Sequence, residues 1–121
     1  MRILVVDDDA LAAEMTAAVL EDGGCEAVIV ESGDQAMETL ATDRDFDAVV
    51  SDMNMPGMSG LELFRRLRDG KSGLPFILLS GDDPEQLRGQ EPGLAACVAK
   101  DAELEETLMT AIAEVRLPAA G

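Results

Sequence analysis

The chain has 121 residues, of which 47% are hydrophobic, and this suits a single domain with one core. Its 25 acidic and 9 basic residues give a net charge of −16, which argues against a surface for nucleic acid or an anionic membrane. The absence of histidine excludes that residue as a general base or an internal phosphoryl donor. No apolar run could span a membrane or form a signal peptide, so we expect a cytoplasmic protein in which Cys25 and Cys97 are buried, reduced thiols.

Apolar strands and amphipathic helices alternate along the whole chain. In chain order the pattern predicts strand 2–6, helix 10–22, strand 26–31, helix 32–42, strand 47–52, helix 59–68, strand 75–80, a weak helix 84–90, strand 95–99 and helix 102–116. Ser32 with Gln35, and Ser59 with Glu62, match the capping-box pattern at two helix starts. Five strands alternating with five helices predict an α/β fold, a doubly wound parallel sheet with helices on both faces.

Polar residues lie where four of the predicted strands end. Asp7 and Asp8 follow the first strand, Asp52 ends the third, Ser80 ends the fourth and Lys100 follows the fifth. Because parallel strands share one C-terminal edge, these side chains can converge there, where open α/β sheets bind their ligands. Carboxylates suit Mg²⁺, while a lysine and a hydroxyl suit the oxygens of a phosphoryl group. A carboxylate can also accept that group itself, as an aspartyl phosphate.

Four segments that contain these residues resemble the receiver domain of bacterial two-component response regulators. They are residues 3–9, 47–60, 75–81 and 98–100. The most specific pattern is Asp-x-x-Met-Pro-x-x-x-Gly, from Asp52 to Gly60, in which Pro56 resembles a rigid turn former and Gly60 the turn glycine. The resemblance implies a flavodoxin-like (βα)5 fold with strand order 2-1-3-4-5. It also implies a receiver domain over residues 1–117 and a C-terminal tail over 118–121.

The resemblance implies a magnesium site. Asp8 is similar to the direct Mg²⁺ ligand of the family, and Asp7 to the acid that holds a metal-bound water. Asp52 and the backbone carbonyl of Asn54 resemble the remaining protein ligands. A cap on the first helix is an alternative for these acids, because carboxylates are favoured at helix N-termini, and for Asp9 the capping role is the one we expect.

The resemblance also implies a phosphoryl-accepting signalling domain rather than an enzyme with a separate substrate. Asp52 resembles the phospho-acceptor, Lys100 the lysine that pairs with a phosphoryl oxygen, and Ser80 the hydroxyl that moves toward the phosphoryl group. The implied donor is a histidine kinase or a histidine phosphotransfer protein. Self-hydrolysis is expected to be tuned by Asn54 and Asp82. Output is expected through contacts with a downstream protein, with no nucleic acid and no membrane as partner.

Two positions depart from the family pattern. Lys100 is followed by Asp101 where the family usually has proline, so we predict a trans peptide bond, a short loop and Asp101 as the N-cap of the last helix. Cys97 occupies the place of the aromatic residue that usually rotates on phosphorylation. These departures leave a second function open, a receiver-like interaction module that switches weakly or not at all.

Two further functions fit less well. An aspartyl-phosphate phosphatase would need a second aspartate two residues after the nucleophile, and that residue is Asn54. A flavin carrier would need an aromatic side chain to stack on the ring, but the chain has neither tryptophan nor tyrosine.

Overall fold

Each strand is followed by a helix, as the alternation predicts. The computed structural model describes residues 1–43, 45–70, 73–81, 84–91 and 93–116. The elements are β1 (Arg2–Val6), α1 (Ala10–Asp22), β2 (Glu26–Val30), α2 (Gly33–Thr42), β3 (Ala48–Asp52), α3 (Gly60–Asp69), β4 (Phe76–Ser80), α4 (Pro84–Gln90), β5 (Ala96–Ala99) and α5 (Leu104–Arg116). The tail predicted over 118–121 lies outside the described residues. Of the described helices, none combines the length and the apolar character that crossing a membrane requires.

The strands form one parallel sheet in the order β2-β1-β3-β4-β5, which confirms the flavodoxin-like topology. The strand order reverses at β1, which pairs with β2 on one side and with β3 on the other. In the register, Val6 lies opposite Ser51, and Asp52 lies opposite Leu79. The residues that follow β1 therefore lie beside the end of β3, at the switch point where open α/β sheets bind ligands.

An apolar core covers each face of the sheet. One core lies between the sheet and helices α1 and α5, and it includes the fully buried Leu20 and Leu108. The other lies under α2, α3 and α4, where the rings of Phe64 and Phe76 pack in a T-shaped arrangement with 5.4 Å between their centroids. Every residue of the central strands β3 and β4 is buried, as expected of a sheet with helices on both faces.

Serine side chains cap two of the helices at the predicted positions. The Ser32 hydroxyl accepts a hydrogen bond from the Gln35 N–H at 3.1 Å, and the Ser59 hydroxyl accepts one from the Glu62 N–H at 3.2 Å. The Gln35 side chain accepts in return from the N–H of Glu31, at 2.8 Å. In the usual capping box the N–H of the N-cap residue donates this second hydrogen bond. At α2 the donor is instead Glu31, the residue before the N-cap Ser32.

The last helix begins later than predicted. Residues 101–103 form a turn, in which the Asp101 carboxylate accepts a hydrogen bond from the Glu103 N–H at 2.9 Å. The Leu104 N–H donates to the Asp101 carbonyl at 3.1 Å. Asp101 therefore closes the turn before α5, and the prediction that it is the N-cap of the helix was wrong, because the turn takes up the residues assigned to the first helical positions. The Lys100–Asp101 peptide bond is trans, as predicted.

Candidate functional site

Three carboxylates meet at the C-terminal edge of the sheet. Asp7, Asp8 and Asp52 each place an oxygen within 4.8 Å of the others. Asp7 is 3% exposed and Asp52 is 4% exposed, whereas Asp8 is exposed to solvent. Carboxylates crowded in this way repel one another, so a bound cation would stabilise the arrangement. The structure thus brings the three predicted side-chain metal ligands together.

The turn after β1 holds Asp7 in place. Its N–H donates to the Val30 carbonyl at 3.1 Å, and its carboxylate accepts from the Asp9 N–H at 3.0 Å. Asp9 in turn caps α1, because its side chain accepts from the N–H groups of Leu11 and Ala12. The capping role expected of Asp9 is confirmed. The Asp7 carboxylate lies in the cluster with Asp8 and Asp52.

Burial raises the pKa of the Asp7 carboxyl above its ordinary value of 3.8. The hydrogen bond from the Asp9 N–H opposes that rise, and the negative charge of Asp52 adds to it. The positive charge of Lys100 lowers the Asp7 pKa by a smaller amount. A buried acid with a raised pKa beside a second buried acid is the electrostatic pattern of a functional site.

Lys100 reaches Asp52, the predicted phospho-acceptor, without the usual proline. Its ammonium forms an ion pair with Asp52 Oδ1. The Lys100 N–H donates to the Ser80 carbonyl at 2.8 Å, which extends the pairing of β5 with β4 as far as Lys100. Among the described residues, Asp52 Oδ1 is a buried side-chain oxygen that accepts no hydrogen bond of good geometry, so the ammonium is its charge partner.

Ser80 ends β4, the strand between β3, which ends at Asp52, and β5, which leads to Lys100, and Asn54 lies in the loop after Asp52. Ser80 is fully buried and follows Leu79, the residue opposite Asp52 in the register of β3 and β4. Asn54 is exposed, two residues after Asp52, in the loop that leads to α3. Ser80 is thus adjacent to the acceptor strand, and the backbone of Asn54 lies beyond its C-terminal end.

Gly60 approaches the acceptor strand more closely than a turn glycine needs to. It is the first residue of α3, and its N–H donates to the Met53 carbonyl at 2.9 Å. A Cβ atom built on Gly60 would lie 2.5 Å from the Asp52 carbonyl oxygen and 2.6 Å from Leu78 Cδ1. Glycine is therefore required at this position by the contact of α3 with the end of β3. The motif predicts the residue, but only the packing of the helix shows its role.

Cys97 lies on β5 opposite Leu78 and is partly buried against the core under α2, α3 and α4. Cys25 is buried, and both residues remain thiols. The prediction of burial is confirmed for Cys25 and only in part for Cys97.

The donor set suits a hard divalent cation. It consists of carboxylate oxygens only, with no sulfur or imidazole nitrogen, and Mg²⁺ prefers such oxygens together with retained waters. The buried Asp52 Oδ1 has the Lys100 ammonium as its charge partner but accepts no well-formed hydrogen bond from the described residues. On both observations, the residues at this edge fit Mg²⁺.

The sequence is similar to response regulators. A family model described as the response regulator receiver domain matches residues 3–113. The response regulator MprA of Mycolicibacterium vanbaalenii is 37% identical over 110 residues, which are 89% of this chain and 47% of that protein. The sensory/regulatory protein RpfC of Xanthomonas campestris pv. campestris is 35% identical over 106 residues, which are 83% of this chain and 14% of that protein. The chain thus spans about half the length of MprA and a smaller part of RpfC.

The fold is similar to solved receiver structures. The response regulator protein TrrA of Thermotoga maritima, in complex with Mg²⁺ and BeF, superposes with a TM-score of 0.83 at 29% identity, over 94% of this chain and 97% of that one. The chemotaxis protein CheY4 of Vibrio cholerae superposes with a TM-score of 0.81 at 27% identity, again over 94% and 97% of the two chains.

Proposed function

The chain belongs to the response regulator receiver family, and on that premise we propose that Asp52 accepts a phosphoryl group from a phosphohistidine of a histidine kinase or a histidine phosphotransfer protein. The observation that carries the proposal is the environment of Asp52. Its buried carboxylate is paired with the Lys100 ammonium and lies within 4.8 Å of the carboxylate oxygens of Asp7 and Asp8. We infer a cytoplasmic location, which the two thiols support because thiols persist in reducing compartments.

Asp7, Asp8 and Asp52 are the side chains that would hold Mg²⁺, together with the backbone carbonyl of Asn54. When bound, Mg²⁺ supplies positive charge that offsets the carboxylates and the oxygens of the phosphoryl group. The TrrA structure in complex with Mg²⁺ and BeF supports this assignment by similarity of fold.

Asp52 is the nucleophile in the proposed transfer. One of its carboxylate oxygens forms the new bond to phosphorus as the bond from phosphorus to the donor imidazole nitrogen breaks, and that nitrogen takes up a proton. The Lys100 ammonium, which pairs with the carboxylate before transfer, pairs with a phosphoryl oxygen afterward. The Ser80 hydroxyl provides a hydrogen bond to a second phosphoryl oxygen.

Transfer adds negative charge at an edge that already contains Asp7 and Asp8, so the loops that follow β4 and β5 must rearrange to pair it. We propose that this rearrangement is read by a downstream protein and that the receiver unit covers residues 1–117. Hydrolysis of phospho-Asp52 ends the signal, and we assign its tuning to Asn54. Asp82, for which the same role is expected, lies outside the described residues.

A second function, an interaction module that does not switch, is favoured by the contacts of Glu91, the residue that follows α4. The Glu91 carboxylate is buried next to the C-terminal end of α4, and it accepts a hydrogen bond from Arg65 of α3 at 3.0 Å. Arg68 of α3 forms a longer ion pair with it, at 3.5 Å. These pairs hold the α4–β5 connection to α3, while Cys97 provides no ring that could rotate. The site around Asp52 could therefore accept a phosphoryl group without any movement of the α4–β5 connection.

Phosphorylation by a small donor tests the leading proposal. The protein is incubated with acetyl phosphate and Mg²⁺, and its mass is measured before and after treatment with hydroxylamine, which cleaves acyl phosphates. We expect an adduct of one phosphoryl group that hydroxylamine removes. The adduct should be lost in Asp52→Asn and kept in Asp34→Asn, a matched change at an exposed acid of α2. An adduct that persists in Asp52→Asn would overturn the assignment of the acceptor.

The interaction-module alternative predicts a different outcome from the same samples. If the domain switches, amide NMR shifts should change on phosphorylation in α4 and β5 as well as around Asp52. If it is a static module that still accepts phosphate, the changes should be confined to the residues that surround Asp52.

A further inference from the structure

A cavity of about 370 Å³ lies between α1 and α5, next to the acceptor site. Ala12, Met15, Thr16 and Val19 line it from α1, and Leu104, Glu105 and Leu108 line it from α5. Leu79 of β4 also contributes, and the edge residues Asp7, Lys100 and Asp101 complete the lining. The volume falls in the range typical of small-molecule sites, which is roughly 300–1,000 Å³.

The lining of the cavity is mostly apolar, and three of its four charged residues lie at the rim. Leu79 and Leu108 are buried and form its floor, and Val19 is partly buried on the wall formed by α1. Lys100, Asp101 and Glu105 are exposed, so these three charged groups lie where the cavity meets solvent, whereas Asp7 is buried. This arrangement suits a ligand with an apolar body that enters the cavity and one polar end that stays at the rim.

The charges at the rim determine whether a cationic or an anionic ligand is favoured. Two of the charged residues at the rim, Asp101 and Glu105, are acids, and the buried Asp7 is a third acid of the lining. The single cation among these charged residues, Lys100, is already paired with Asp52. An anionic ligand would be repelled, whereas a ligand with a positive charge gains from the exposed acids.

We propose that this cavity is a binding site for a small molecule with an apolar body and an ammonium group. The apolar body packs between Val19 of α1 and Leu104 and Leu108 of α5, and the ammonium lies near the carboxylates of Asp101 and Glu105. Such a ligand contacts the aliphatic part of the Lys100 side chain, so its binding would affect the ion pair between Lys100 and Asp52. The inference does not rest on the proposed phosphorylation, because binding is measured without a phosphoryl donor.

Three fluorinated probes of similar shape test the class of ligand. They are para-fluorobenzylamine, para-fluorobenzyl alcohol and para-fluorophenylacetate, which are cationic, neutral and anionic, and each is titrated by fluorine NMR in buffer without divalent cations. We expect the amine to bind about fivefold more tightly than the alcohol, from two exposed charge contacts, and the anion to bind most weakly. Equal affinity for all three probes, or no binding of any, would overturn the proposal.

Two matched pairs of variants locate the site. Ala12→Phe fills the cavity from α1 and should abolish binding of the amine, while Ala18→Phe, an exposed position of α1 that does not line the cavity, should leave it unchanged. Glu105→Gln should reduce affinity for the amine about twofold to threefold, while Glu106→Gln, the next residue of α5, should not. Circular dichroism confirms the fold of each variant. If Ala12→Phe is folded and still binds the amine, the cavity is not the site.

Discussion

The two edges of the sheet both carry a cluster of acids around one cation, but the clusters differ in how completely the acids are paired. At the N-terminal edge, Arg2 donates to Glu26 and to Asp43, each at 2.7 Å. Its backbone N–H donates to Asp47, also at 2.7 Å, and its guanidinium lies 4.3 Å from the centre of the Phe46 ring. Every acid that surrounds Arg2 in this cluster therefore accepts a hydrogen bond.

At the C-terminal edge the pairing is incomplete. Asp7, Asp8 and Asp52 lie together, and Lys100 is the cation among them, paired with Asp52. Asp52 Oδ1 accepts no well-formed hydrogen bond from the described part of the chain. The comparison separates acids with a structural role from acids that outnumber their partners of opposite charge. Where the acids of a cluster are satisfied by donors, as around Arg2, they link neighbouring strands, and where they are short of positive charge, as at Asp7, Asp8 and Asp52, a bound cation would stabilise them.

The comparison is tested most strongly by adding Mg²⁺. If the C-terminal cluster lacks positive charge, Mg²⁺ should bind the folded protein and raise its free energy of unfolding, by about 2.7 kcal/mol at a concentration one hundred times Kd. The measurement is urea unfolding at several Mg²⁺ concentrations and constant ionic strength. Asp8→Asn removes an exposed carboxylate of the cluster without disturbing the core, so it should abolish most of the gain.

The N-terminal cluster provides the control for this experiment. Asp47→Asn keeps an oxygen that can accept from the Arg2 N–H, and it should leave the Mg²⁺ effect intact. An equal loss of the Mg²⁺ effect in Asp47→Asn and in Asp8→Asn would mean that the ion acts on the whole acidic surface, and the distinction between the two edges would fail.

A second prediction concerns the contact that fixes the acceptor strand. Gly60→Ala places a methyl group 2.5 Å from the Asp52 carbonyl, so α3 or the end of β3 must shift. We expect a loss of about 1–3 kcal/mol in the free energy of unfolding, as for other overpacked positions, and slower phosphorylation by acetyl phosphate. Both are measured on the same protein, by urea unfolding and by mass spectrometry.

Gly70→Ala is the matched control, at the other end of the same helix. Its Cβ would meet its nearest neighbours at ordinary contact distances, 3.5 Å and 3.6 Å, and its φ is negative. The change should leave phosphorylation unaltered and leave stability unchanged or raise it by up to about 1 kcal/mol. If Gly60→Ala were as harmless, the close packing of α3 on the acceptor strand would be refuted.

The sequence predicts the acceptor edge better than it predicts the region after β5. Asp7, Asp8 and Asp52 could be placed together because parallel strands deliver their C-terminal residues to one edge, and the order of the strands then makes β1 and β3 neighbours. The capping role of Asp9 follows from its position between a strand and a helix. These features depend on local sequence pattern and on strand topology, both of which can be inferred from the order of polar and apolar residues.

Other features depend on distances between elements, which a pattern does not contain. The turn at Asp101 delays α5, although a capping residue in that place predicts an earlier start. The cavity between α1 and α5 depends on how far apart two helices lie on the sheet. The contact of Gly60 with the Asp52 carbonyl depends on the approach of α3 to β3, and the motif that contains Gly60 predicts only a turn.

The last prediction uses pH to separate the two edges, because the pKa of Asp7 at one edge and the pKa of Asp43 at the other are shifted in opposite directions. The pKa of Asp7 is raised above 3.8, mainly by burial, so the folded protein holds that proton more tightly than the unfolded chain does. Asp7 therefore lowers stability as pH rises from 3.8 through its folded pKa. The pKa of Asp43 is lowered, first by the hydrogen bond from the Asp45 N–H and then by Arg2. Asp43 therefore contributes stability above 3.8, which is lost as pH falls through its folded pKa.

Single substitutions separate the two effects. The experiment uses buffer without divalent cations. In Asp7→Asn, the free energy of unfolding should no longer fall because of this residue as pH rises above 3.8. In Asp43→Asn, it should no longer fall because of this residue as pH drops below 3.8. Urea unfolding from about pH 3 to pH 7 measures both, and each change is small because a single carboxyl group titrates. The sign is what matters. If Asp7→Asn lowered stability at neutral pH by as much as Asp43→Asn, Asp7 would be a paired structural acid like those around Arg2, and the C-terminal edge would not lack positive charge.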